Sequence, residues 1–103
     1  MTSFSTSLRR VSENFGTSHP AVAEVWLFGS AVMSETPSDI DLLIVYDQEV
    51  VTPLRAYDLR PQFAATLGTL TSLRPHIQLL NTAEASETDF AASERGVLLY
   101  QRD

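Results

Sequence analysis

The sequence predicts an α/β or α+β domain around a small sheet, with elements in the order α-β-α-β-α-β-α-β, the first connecting helix being short. Three observations predict it. Apolar residues near the N-terminus recur at Phe4, Leu8, Val11 and Phe15, the spacing of one helix face. Two dense apolar runs, at 21–28 and 40–46, read as strands. Asn81 followed three residues later by Glu84 resembles a capping box, and so opens a late helix.

The elements follow in order. The first helix covers 3–15, with Gly16 as its stop. The first strand, 21–28, is rich in Val, Trp, Leu and Phe, and the apolar character of Val25, Trp26, Leu27 and Phe28 alike predicts burial on both faces. Ser30 is placed to cap a short helix over Ala31, Val32 and Met33, and residues 35–38 form a loop. The second strand, 40–46, is apolar after Asp41. Thr52 caps a helix with Pro53 in its first turn, where proline is tolerated. That helix continues through Leu54, Leu59, Phe63 and Leu67, broken or kinked at Pro61. A third strand covers 76–80, the capped helix runs to about Arg95, Gly96 ends it, and residues 97–100 make a last short strand.

Composition narrows the function. A chain of 103 residues, 44% hydrophobic, suits a single domain over 1–103 with one modest core. No apolar run approaches the roughly 20 residues needed to span a bilayer, and the N-terminus lacks a signal-type apolar core. The chain has no cysteine, which removes disulfides, thiolate metal sites and cysteine nucleophiles together. A cytoplasmic location is the default expectation. The net charge is −6, with arginine carrying every positive side chain, so direct nucleic-acid binding is not expected.

The chemistry concentrates in one stretch. Gly29-Ser30 leaves the first apolar run, eight residues follow, and Asp39 and Asp41 open the next. Two aspartates one residue apart on a strand project from the same face. Carboxylates held that close repel unless a cation lies between them, which points to a divalent metal, Mg²⁺ above all. Gly29, lacking a Cβ, lets phosphate oxygens approach the chain, and Ser30 adds a hydroxyl donor.

The run Phe28-Gly29-Ser30 … Ser38-Asp39-Ile40-Asp41 looks like the signature of the DNA polymerase β-like nucleotidyltransferase superfamily, in its minimal-nucleotidyltransferase branch. The resemblance implies a mixed sheet packed on one side by helices. It implies Gly29 and Ser30 as the triphosphate-binding turn and Asp39 and Asp41 as catalytic metal ligands. It implies transfer of AMP from ATP to a protein hydroxyl, and for some members an antitoxin role beside a small helical toxin of the HEPN type. The family's third carboxylate, expected on the third strand, has no counterpart: His76 and Gln78 stand on the shared face there. His76 is the candidate base or ligand in that position, while Gln78 can only hydrogen bond. The competing expectation is a catalytically impaired module that binds nucleotide or partner. The apolar final strand also offers an edge for a homodimer.

Overall fold

The computed structural model describes residues 3–89 and 94–102. Four strands form one sheet: β1 (Val22–Phe28), β2 (Ile40–Tyr46), β3 (Pro75–Asn81) and β4 (Val97–Gln101), in the order β3-β2-β1-β4. β1 pairs antiparallel with both β2 and β4, and β2 pairs parallel with β3, so the sheet is mixed. The helices are α1 (Ser3–Ser18), α2 (Pro53–Ala56), α3 (Leu59–Leu67) and α4 (Thr82–Thr88), with a single 3-10 turn over Gly29–Val32 between β1 and β2. Among the described residues no helix is long and apolar enough to cross a membrane.

The two faces of the sheet are unequal because β2 is central and its side chains alternate. Ile40, Leu42, Ile44 and Tyr46 join the larger core, with Leu8 and Phe15 of α1 and Phe63 and Leu67 of α3. Leu43 and Val45 point the other way, into a smaller cluster with Ala23 and Phe28, against which Trp26, Leu80 and Ala85 of α4 pack. On the main face Phe63 is fully buried and stacks on Phe15, ring centroids 4.7 Å apart. His19 stacks on the same Phe15 ring at 4.1 Å, its Nδ1 lies 2.8 Å from the Phe15 carbonyl, and its Nε2 meets the Gln62 side chain at 2.9 Å, tying the end of α1 to α3. Ser5 and Ser12, both fully buried, lie on the sheet-facing side of α1 beside Leu8 and Phe15.

Several local expectations shift by tertiary contact. α1 runs through Gly16 to Ser18: Gly16 is buried, and a Cβ there would run into the Tyr100 ring, so this glycine allows helix and strand to pack closely and does not stop the helix. The helix expected from Thr52 to Leu67 is two helices separated at Tyr57 and Asp58. Thr52 caps the first by accepting from the Arg55 N–H. Pro61 falls in the first turn of α3, where no intrahelical N–H is required, so it breaks nothing. Ser30 lies inside the 3-10 turn, whose cap position belongs to Phe28 with no side-chain bond. At α4 both halves of the capping box form: Asn81 Oδ1 accepts from the Glu84 N–H at 2.7 Å, and Glu84 Oε1 accepts from the Asn81 N–H at 2.9 Å. α4 ends at Thr88, with Asp89 in the left-handed conformation, and the expected continuation over 90–93 lies outside the described residues. Glu94 and Arg95 are in a turn.

One ion pair fastens the far end of the sheet. Asp47, just after β2, accepts from the Glu49 N–H at 2.8 Å and from the Arg102 guanidinium at 2.8 Å. Arg102, just after β4, also donates from its side chain to the Pro20 carbonyl and from its backbone to Ala23. The Glu49 N–H and then Arg102 hold the Asp47 carboxyl below its ordinary pKa, with burial opposing them. A depressed folded-state pKa stabilises above the unfolded carboxylate range, and that contribution is lost as pH falls through the folded value.

Two outcomes are expected. Asp47→Asn lowers the melting temperature at neutral pH, and the gap to wild type closes as pH falls below the ordinary carboxylate range; a gap independent of pH would contradict the role given to the carboxylate. Phe63→Ala costs about 3–5 kcal/mol in urea-monitored unfolding, as expected for removing a fully buried ring that stacks α3 on Phe15 of α1.

Candidate functional site

The strand register assembles a row across three strands. Phe28, the last residue of β1, pairs with Asp41 of β2, and Asp41 pairs on its other side with His76 of β3. Directly paired residues send their side chains from the same face. The next pairs inward are Trp26 with Leu43 and Leu43 with Gln78, so Asp41, His76 and Gln78 share the face opposite α1 and α3. Asp41 is half-buried, whereas Asp39, His76 and Gln78 are exposed. β2 begins at Ile40, so only Asp41 stands within the ladder and Asp39 sits just before it.

The turn comes back onto this row. Gly29 has φ +76°, a conformation that L side chains rarely adopt, and a Cβ added there would lie 2.8 Å from Asp41 Oδ2. Backbone and carboxylate therefore meet where only glycine fits. The 3-10 turn that follows is anchored by buried Ala31 and closed by the Ser30 carbonyl, which accepts from the N–H groups of Met33 and Ser34. Ser30 itself is exposed. Among the described residues, the side chains of Asp39, Asp41 and Ser30 make no hydrogen bond, and neither aspartate forms an ion pair.

The uncompensated Asp41 carboxylate beside the Gly29 bend, with Asp39 two residues before it, supplies oxygen donors of the kind a hard cation takes. Mg²⁺ is commonly held by one or two carboxylates, with waters and phosphate oxygens completing its shell, and these residues fit that need. His76 does not close a three-ligand site with them: among the described residues no three His, Cys, Asp or Glu side chains gather closely enough to hold a metal. The register does bring His76 opposite Asp41, one strand away.

A groove of about 430 Å³ continues along the same face. Its floor is Trp26, Leu43 and Val45, and Thr82, Ala85 and Arg95 are among its walls. The Trp26 indole N–H donates to Glu24 Oε1 at 2.8 Å. Sequence reasoning did not find this groove. The available signal was the two-residue period, which puts Trp26, Leu43 and Val45 on the face of Asp41.

Residues 12–103 match a family model described as Polymerase beta, Nucleotidyltransferase. Two solved structures resemble the chain. One, assigned as a nucleotidyltransferase from Sulfolobus solfataricus, shares 22% identity over 96% of this chain and 81% of its own, with a TM-score of 0.57. The other, a mutant of the toxin–antitoxin MntA–HpeT, shares 15% identity over 87% of this chain and 70% of its own, with a TM-score of 0.53. At these identities the likeness is one of fold. No curated protein matches the sequence.

The contact between Gly29 and Asp41 sets an expected outcome. Gly29→Ala destabilises the protein by about 1–2 kcal/mol through its positive φ and the crowded carboxylate. Asp41→Ala relieves the crowding, so a double-mutant cycle measured by urea unfolding shows favourable coupling between the two changes. Strict additivity would place the two groups apart.

Proposed function

The chain belongs to the polymerase β nucleotidyltransferase family, and on that premise we propose that it transfers AMP from ATP to a hydroxyl group of a partner protein in a Mg²⁺-dependent reaction. The observation that carries the reading is the approach of the Gly29 backbone to an Asp41 carboxylate that has no hydrogen-bond or ion-pair partner among the described residues. Phosphate oxygens need a chain without a Cβ, and a metal needs carboxylates free of other partners; the two requirements are met side by side.

In this reading Gly29 and Ser30 receive the triphosphate, the Ser30 hydroxyl donating to a phosphate oxygen. Asp39 and Asp41 hold the metal, which when bound offsets phosphate charge and polarises the α-phosphoryl group. The acceptor oxygen forms a bond to the α-phosphorus, the bond from that phosphorus to the oxygen bridging to the β-phosphate breaks, and pyrophosphate departs. The hydroxyl proton passes to a base, and His76, opposite Asp41, is the chain's own group for that task. The MntA–HpeT neighbour is a toxin–antitoxin, which supports a partner protein as acceptor. A small helical toxin of the HEPN type, with this chain as its antitoxin, is the partner we propose.

A second reading has its own support. His76 and Gln78 occupy the face where the family resemblance leads one to expect a third carboxylate, and a nucleotide- or partner-binding module needs none.

The test is incubation with α-labelled ATP, Mg²⁺ and the protein encoded beside this chain. Label is expected on that protein with wild type, and below detection with Asp41→Asn. His76→Ala is expected to slow transfer by about 100-fold or more. Equal labelling by wild type and Asp41→Asn would overturn the assignment. ATP binding by calorimetry without transfer would select the binding module.

A further inference from the structure

The sheet has two edges, and they differ. At β4 the pairing with β1 shifts register between Val25 and Trp26, and Arg9 reaches across from α1 to donate to the Leu98 carbonyl at 3.2 Å. A bulge and a covering side chain are the ordinary means of blunting an edge. β3 has no such bulge. It pairs with β2 in unbroken register from Ile40 with Pro75 to Tyr46 with Asn81, and among the described residues no strand lies on its other side.

The helices leave room beside that open edge. Two adjoining grooves, of about 360 and 410 Å³, run along it. Tyr57, Arg60 and Ala64 form the helical side, and Pro75, Ile77 and Leu79 the strand side. Tyr57 is 59% exposed and Leu54, on α2, 81%, an apolar surface that the described residues leave uncovered.

The charge of this region runs against the rest of the molecule. From residue 50 to residue 80 the only charged side chains besides His76 are Arg55, Arg60 and Arg74 against Asp58, in a chain of net charge −6. All three arginines are exposed, and among the described residues none of their guanidinium groups forms a hydrogen bond or an ion pair.

We propose that the free edge of β3 accepts an extended, acidic segment of a partner protein as a fifth strand. Its main chain pairs with β3, apolar side chains rest against Tyr57, and carboxylates reach Arg60 and Arg74. The docked segment lies two strand spacings from β2, about 10 Å, so the partner is brought beside the face that carries Asp41 and His76. The surface stands whether or not nucleotidyl transfer occurs.

Fluorescence anisotropy with the full chain tests it. The probe is a fluorescein-labelled octapeptide in which one strand face carries glutamate alternating with isoleucine or valine and the other face carries threonine. Two controls accompany it, one with lysine replacing every glutamate and one with alternate backbone nitrogens methylated. Saturable binding of the acidic peptide is expected, with no binding by the lysine and N-methyl peptides. The Arg60→Glu, Arg74→Glu double variant is expected to weaken binding at least about tenfold. Both positions are exposed, and an unchanged thermal melt confirms that the variant is folded. Absence of saturable binding, or equal binding of the lysine or N-methyl peptide, overturns the proposal. Sedimentation adds one more outcome: a wild-type dimer that the double variant converts to monomer would make the occupant a second copy, and the partner reading would fail.

Discussion

The candidate site depends on one close approach, that of the Gly29 backbone to the Asp41 carboxylate. The approach is a consequence of strand register, since Phe28 pairs with Asp41 and the chain turns at the next residue. Register in turn is held by hydrophobic pattern. A slip of one residue would rotate Ile40, Leu42 and Ile44 out of the main core and turn Asp41 towards α1 and α3. Burying an unpaired carboxylate there is prohibitive, so the core that stabilises the fold also positions the turn against the acid.

The sheet's asymmetry makes room for that site. α1 and α3 cover one face, and the small Ser5, Ser12 and Gly16 belong to the buried residues of α1. On the opposite face, among the described residues, Ala85 of α4 packs next to Trp26 and Leu80. Among the described residues this leaves a strip running from the Gly29 turn past Asp41 to the groove floored by Trp26, Leu43 and Val45. Apolar residues on both sides of β1 and β2 are therefore compatible with one face being packed and the other being available to a ligand. The Asp47–Arg102 pair closes the far end of the same strands, so the sheet is fastened at the end away from the turn.

Legibility in the sequence followed the range of the interactions. The capping box at Asn81 and Glu84 and the Thr52 cap were legible because each joins groups three residues apart. The shared face of His76 and Gln78 was legible from the two-residue period of a strand. Gly16 was misread because its partner, Tyr100, comes from the other end of the chain. Pro61 was misread as a break because the separation four residues earlier makes it part of a first turn, where it is harmless. The second strand covers Ile40–Tyr46 as its apolar run predicts, which leaves Asp39 one residue before the ladder and Asp41 within it.

By itself the sequence determined the class of fold, the order of the strands and a glycine-serine turn followed eight residues later by two aspartates, because residue spacing and local capping carry that information. Only the tertiary structure decided that Asp41 lies against Gly29, that His76 stands opposite Asp41, and that among the described residues β3 is the open edge. Those facts depend on which strands become neighbours and which faces the helices cover, and these follow from burying the whole core at once.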